Sequence, residues 1–187
     1  MIKYNLLNTS TRENYKKIIE ICKDIYLKKS KDYGSAWRIL RVPSLTDQIF
    51  IKAQRIRSIQ EKNEMKIKEN IDGEFIGIVN YCIMAIIQLE YDRDNINVEF
   101  DELERLYNKY SNEIMGLLLN KNHDYDEAWK EMRISSMTDI ILMKLYRTKQ
   151  IESNEGETLI SEGVKANYQD IVNYSVFCLI KILIFKE

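Results

Sequence analysis

The sequence predicts an all-α protein, a helical bundle built from two tandem three-helix repeats related by a pseudo-twofold axis. Three observations carry that prediction. One Pro and six Gly in 187 residues leave little punctuation for a many-stranded fold. Long runs of Ile, Leu, Lys, Glu, Asn and Tyr instead carry helical spacing. The chain also repeats itself: Asp32-Tyr33-x-x-Ala36-Trp37, then Arg41, Ser44, Thr46, Asp47, Ile49, Lys52, Arg55 and Ile59, recurs as Asp124-Tyr125-x-x-Ala128-Trp129, then Arg133, Ser136, Thr138, Asp139, Ile141, Lys144, Arg147 and Ile151. The offset is 92 throughout, and 12 of the 28 residues over positions 32–59 are identical, Trp, Tyr, Asp and Arg among them. After one inserted residue, Ile78-Val79-Asn80-Tyr81 returns as Ile171-Val172-Asn173-Tyr174.

Each repeat reads as three helices. The first spans about 11–30, and about 101–122 in the second repeat. An aromatic connector follows, then a helix over about 44–62 with Leu45, Ile49, Ala53 and Ile56 on one stripe, whose twin covers about 136–152. The third helices, about 73–89 and 165–185, are apolar almost all round and belong at the centre of the bundle. The stretch 92–99 joins the repeats, which cover about 11–91 and 99–185 of a single domain over 1–187. Duplicated units of this kind bury their apolar helices against each other as a homodimer does. Further self-association of the chain, as a homo-oligomer, is left open.

Lys and Arg number 28 against 29 Asp and Glu, so no net field draws the protein to DNA, RNA or an anionic membrane. The first ten residues lack the order of a secretory signal, and no stretch is read as a membrane span of roughly 18 to 20 apolar residues, so the expectation is a cytoplasmic protein. Cys22, Cys82 and Cys178 are odd in number, form no CxxC pair and fit reduced core thiols. Glycine-rich phosphate loops are absent, so any nucleotide site is built another way.

Several repeated residues could carry chemistry. Tyr33, Trp37, Tyr125 and Trp129 can sandwich a ring beside Asp32 and Asp124, or anchor the connector in the core. Ser44-x-x-Asp47 and Ser136-x-x-Asp139 read as helix N-caps with an acid at the third helical position, although these acids could also hold a metal or the motif Arg. Lys52 and Arg55, like Lys144 and Arg147, project from one helical face and could clamp phosphates together with Arg41 and Arg133, or form a solvated flank. Asn80 and Asn173 stand in apolar helices and need partners, either across the pseudo-twofold or on the edge of a bound base. Glu61-x-x-Glu64 before Glu74-x-x-Gly77, and Glu152-x-x-Glu155 before Asn167-x-x-Asp170, resemble two incomplete oxygen cages for Mg²⁺. His123 has Lys31 as its counterpart and is read as a surface residue.

The quoted residues, Lys-x-x-Asp-Tyr-x-x-Ala-Trp, Arg-x-x-Ser-x-Thr-Asp, Lys-x-x-Arg and Ile-Val-Asn-Tyr, resemble the first type of nucleotide modification associated domain, a bacterial and phage family of unknown function. The resemblance covers about 15–90 and 105–183 and follows a duplicated form known from Bacteroidetes. It implies a context of modified nucleotides, not a reaction. A weaker similarity is to the all-helical nucleoside triphosphate pyrophosphohydrolases, whose ExxE and ExxD acids hold Mg²⁺ to polarise phosphates and activate water. Here Gly77 and Asn167 break that pattern, leaving a composite set of Glu61, Glu64, Glu74 and Asp170, or their twins. The expectation is a protein that binds a free or modified nucleotide, or a related heteroaromatic such as a pterin, with Mg²⁺ as candidate cofactor and diphosphate hydrolysis as candidate reaction. A non-catalytic scaffold, regulatory or small-molecule-sensing module is the alternative.

Overall fold

The computed structural model describes residues 10–62, 71–92, 95–124, 127–160 and 162–187, with backbone alone at 120–124. Six α-helices follow in order: α1 (Thr11–Tyr33), α2 (Val42–Lys62), α3 (Ile71–Glu90), α4 (Phe100–Asp124), α5 (Ile134–Ser153) and α6 (Val164–Leu179). A short 3₁₀ turn sits in each connector, at Ala36–Ile39 and Ala128–Glu131, and α6 runs on as a π-turn over Ile180–Phe185. The described residues form no strand, and helices α1–α3 and α4–α6 are the two predicted repeats.

Local signals set most of the helix ends. Ser10 opens α1 with a capping box, its hydroxyl accepting from Glu13 N at 3.3 Å while Glu13 Oε2 accepts from Ser10 N at 3.2 Å. Gly34 closes the helix at φ 62°, a conformation that costs a side-chain-bearing residue energy. The predicted caps of the second helices are corrected. Ser44 and Ser136 lie inside the first turn, because α2 starts at Val42 with Pro43 just inside it and α5 starts at Ile134. The helix-opening carbonyl comes from Arg41, which accepts from Leu45 N at 3.2 Å.

At the centre, α3 packs against α6, with α2 and α5 on one side and α1 and α4 on the other. Both central helices are long and apolar enough to cross a membrane by length and composition, which corrects the sequence reading; 67% and 61% of those windows are buried against the rest of the chain. The start of α1 meets the end of α4 through Thr11 Oγ1 and Glu127 Oε1 at 2.5 Å. After α1, Ser35 Oγ donates to Ile96 O at 2.7 Å and accepts from Val98 N at 2.9 Å, just ahead of α4. Helices α1 and α4 therefore run antiparallel. The three cysteines are free and buried, and burial pushes the Cys22 thiol up to about 12.

The pseudo-twofold can be checked bond by bond. Tyr15 donates to Asn173 Oδ1 at 2.9 Å, and its twin Tyr107 donates to Asn80 Oδ1 at 2.8 Å. Between α2 and α5, Asp47 meets Lys149 at 2.6 Å and Asp139 meets Arg57 at 3.8 Å. Thr46 Oγ1 lies 2.6 Å from Glu152 Oε1, and Gln60 Nε2 donates to Thr138 Oγ1 at 3.1 Å. The last pair shows that the partner of Glu152 under the offset of 92 is Gln60, not Glu61. The two ExxE motifs are therefore out of register by one residue and are not counterparts.

Burial raises the pKa of Glu152, against hydrogen bonds from Thr46 and Tyr168. A carboxyl whose folded pKa is raised holds its proton more tightly in the native state, so its contribution to stability falls as pH rises above the ordinary carboxylate value. Glu152→Gln, which copies Gln60, is expected to raise the melting temperature slightly at pH 7, the effect being limited because the site is partly solvated. The gain should vanish in melts at about pH 4.

Candidate functional site

The first repeat gathers its motif around one cavity. The last turns of α1 supply Ile25, Tyr26, Lys29 and Tyr33, the connector supplies Trp37, α2 supplies Lys52, and α3 supplies Gly73, Ile76, Gly77, Asn80, Tyr81 and Met84. The volume is about 320 Å³, near the lower end of small-molecule sites. Among the described residues no carboxylate lines it, whereas two lysines do. Tyr33 is 57% exposed and stands at the surface, while Trp37 is 8% exposed and sunk in the wall. Burial, then the neighbouring Tyr81 and Asp32, raises the Tyr33 pKa, so this phenol stays protonated. Asp32 itself is exposed and does not line the cavity.

Two polar atoms in this wall are buried without a hydrogen-bond partner, the Tyr26 hydroxyl and Trp37 Nε1. Ser30 and the Trp37 indole are close enough to Tyr26 to offset part of the rise that burial imposes on its pKa. The Ser30 hydroxyl, however, donates to Tyr26 O at 2.9 Å, and the indole falls outside bonding geometry. Unpaired buried donors are uncommon and call for a partner such as a water or a bound group; Trp129 Nε1 in the second repeat is unpaired in the same way.

The cations are balanced at the cavity edge. Glu74 receives Lys52 at 3.1 Å and Arg55 at 2.5 Å. Lys52 reaches it by lying across Gly77: a Cβ built there would come 2.7 Å from Lys52 Cε. In the second repeat Asp170 occupies the Gly77 position and pairs directly with Lys144, while Asn167 occupies the Glu74 position. The exchange of Glu74 and Gly77 for Asn167 and Asp170 therefore moves one neutralising acid by a helical turn. Arg147, the counterpart of Arg55, is exposed.

The second repeat uses its tryptophan differently. Trp129 is 5% exposed and stacks on Phe177 at 4.3 Å and 5°, with Phe185 at 6.3 Å. Phe177 stands where the first repeat has Met84, and Phe185 is delivered by the π-turn. Trp129 is packing, as the structural reading of the motif allowed. Tyr125 and Glu64 lie outside the described residues, and the side chains of His123 and Asp124 do as well.

The remaining candidates scatter. Arg41 faces a different and more open cleft of about 620 Å³ between the repeats, beside Ile39, Pro43, Glu152, Glu155 and Gly156. Arg133 and Arg41 are both exposed, and Arg41 does not line the cavity that Lys52 lines. Asp47 pairs with Lys149 across the axis instead of with Arg41. Asn80 and Asn173 bond to tyrosines of the opposite repeat, the first of the two partners considered. Among the described residues no group of three or more acids, His or Cys could hold a metal ion. Glu61 is tied to Arg57 at 2.8 Å, Glu74 to two cations, Asp170 to Lys144 and Glu152 to Thr46 and Tyr168. Glu152 and Glu155 line one cleft, but the four acids just named each already answer a cation or hydroxyl, so the described acids do not assemble the expected Mg²⁺ cage.

The family model for nucleotide modification associated domain 1 matches residues 29–89 and again residues 121–182, well over half the chain. The chain belongs to that family. The matched segments begin at the last turn of α1 and the last turn of α4. They thus take in both aromatic connectors and both apolar helices but leave out Tyr15 and Tyr107. No curated protein and no solved structure matches.

Sequence reasoning missed Tyr26, Lys29 and Tyr81 as wall residues. Lys29 was visible in the repeated Lys-x-x-Asp-Tyr, and Tyr81 in the repeated Ile-Val-Asn-Tyr. Tyr26 has Leu118 as its counterpart and gave no repeat signal. Truncating Trp129→Ala removes a stacked core ring and is expected to cost about 3 to 5 kcal/mol in a urea melt.

Proposed function

We propose that this protein binds one anionic, nucleotide-class small molecule in the cavity of its first repeat. The observation that carries the reading is the convergence of Tyr33, Trp37, Lys52 and Asn80, four residues of the repeated motif, on a single aromatic-walled cavity whose charged lining is Lys29 and Lys52 alone among the described residues. Aromatic walls suit a flat ring through offset or edge contacts, and lysines suit phosphate as point charges. A volume of about 320 Å³ suits a nucleoside monophosphate or a pterin better than a triphosphate. The family description supports the nucleotide class.

The reading is of binding. Hydrolysis of a diphosphate linkage through Mg²⁺ has no support from the acids, for the reasons given above. The scaffold alternative is supported for the second repeat, where Trp129, Phe177 and Phe185 fill the matching region and Asp170 holds Lys144.

A thermal-shift panel of nucleoside mono-, di- and triphosphates and a pterin, each with and without Mg²⁺, tests the proposal. At a hundredfold excess over Kd a bound monophosphate adds about 2.7 kcal/mol, or roughly 5 to 10 °C for a chain of this size. Gly77→Asp, which brings the acid of the second repeat into the lining, should fold normally and lose the shift. The Lys52 side chain that its Cβ would meet is flexible at that end. The absence of any shift in the wild-type protein at millimolar ligand would overturn the proposal.

Lys29→Ala and Lys52→Ala should each weaken a monophosphate by about 1 to 2 kcal/mol by calorimetry, with a smaller effect on the corresponding free nucleoside.

A further inference from the structure

We infer that Tyr107, which belongs to the second repeat, is the positioning residue of the first repeat's cavity, an inference that rests on the binding reading above. Tyr107 is fully buried on α4 and touches two residues of that cavity's wall. Its hydroxyl donates to Asn80 Oδ1 at 2.8 Å, and its ring lies 4.9 Å from Tyr26 with the planes tilted by 32°.

Asn80 has a second tether, Nδ2 donating to Cys22 O at 3.0 Å. A main-chain carbonyl can only accept, so the amide nitrogen must be the atom facing Cys22 and the amide oxygen the atom facing Tyr107. The two partners leave no freedom to flip. Among the described residues, the amide's second N–H is then its one uncommitted donor. Asn80 thus joins Lys29 and Lys52 in a lining rich in donors. Such a wall favours a ligand rich in acceptors, with phosphate oxygens for the lysines and a ring carbonyl or ring nitrogen for Asn80. Tyr107 reaches no ligand itself. It acts by fixing which end of Asn80 is spent and by backing Tyr26.

The duplication supplies an internal control. Tyr15 makes the same bond to Asn173 at 2.9 Å, but in the half where Trp129 stacks on Phe177. Tyr107→Phe and Tyr15→Phe therefore remove equivalent buried hydroxyls, the first of which backs the wall residue Asn80. We would place each in the full chain carrying Trp129→Phe, so that Trp37 is the single indole. Iodide quenching of Trp37 and the affinity of guanosine and thymidine monophosphates would then be measured beside the melting temperature.

The expected result is a similar loss of melting temperature in both variants. Tyr107→Phe alone should change iodide quenching and weaken the monophosphates by about tenfold. Equal quenching and equal affinity in the two variants would overturn the inference. If neither monophosphate binds the wild-type chain, the binding reading fails, and the quenching comparison still decides the role of Tyr107. Should Tyr107→Phe not fold, Tyr107→Met is compared with Tyr15→Met by the same quenching and affinity readouts. A selective effect of Tyr107→Met sustains the inference, and an equal effect of the two overturns it.

Discussion

A carboxamide inside an apolar helix is the constraint on which the arrangement turns. Asn80 and Asn173 sit on the two helices at the centre of the bundle, where an unmet amide would cost about 1 to 3 kcal/mol. Each amide oxygen takes its hydrogen bond from a tyrosine of the other repeat. That requirement brings α4 to α3 and α1 to α6. The antiparallel α1 and α4 follow, and the polar bonds between α2 and α5 fall into matched pairs around the same axis. Apolar burial supplies the drive for collapse, but it is non-directional. The hydrogen bonds choose which collapsed arrangement is kept.

Within this near-symmetric frame the two halves have parted. Both keep a lysine at the same site on the second helix and both neutralise it with one acid, yet the acid sits one helical turn apart in the two. With Glu74 and Gly77, the first repeat lays its lysine along an open helix face beside a cavity. With Asn167 and Asp170, the second repeat caps its lysine on the spot, and Phe177 and Phe185 bury the neighbouring tryptophan. A self-associating single repeat could not have made this division, because every change would appear twice.

Much of the fold was legible. Periodicity and the offset of 92 fixed six helices, their grouping and their axis, since these depend on local patterning and on identities that survive in both copies. The helix caps were misread at Ser44 and Ser136 because both helices open earlier, at Val42 and Ile134, and Pro43 suits a first turn. The site was only half legible. Spacing places Lys52 and Arg55 on one face, but it says nothing of Glu74 on the opposing helix. Nor could it separate Trp37 beside a cavity from Trp129 under two phenylalanines, since the difference lies in Met84 against Phe177 and in a C-terminal π-turn. The bond from Tyr107 to Asn80 joins residues of different repeats, as the bond between their twins Tyr15 and Asn173 does, a crossing that no linear alignment displays.

The same crossings bear on how the chain is made. Tyr15 and Asn173 are 158 positions apart, so the first helix emerges from the ribosome long before its amide partner exists. At about 5 to 20 residues per second, it waits roughly 8 to 30 s with its apolar stripe uncovered. The bonds at Thr11, Thr46 and Asp47 likewise await residues of the second half. Folding is therefore delayed towards the end of synthesis, and such non-local closure is slow in its own right. A ribosome that stalls in the connecting stretch exposes the sticky half of an unfinished pair, a natural substrate for chaperones.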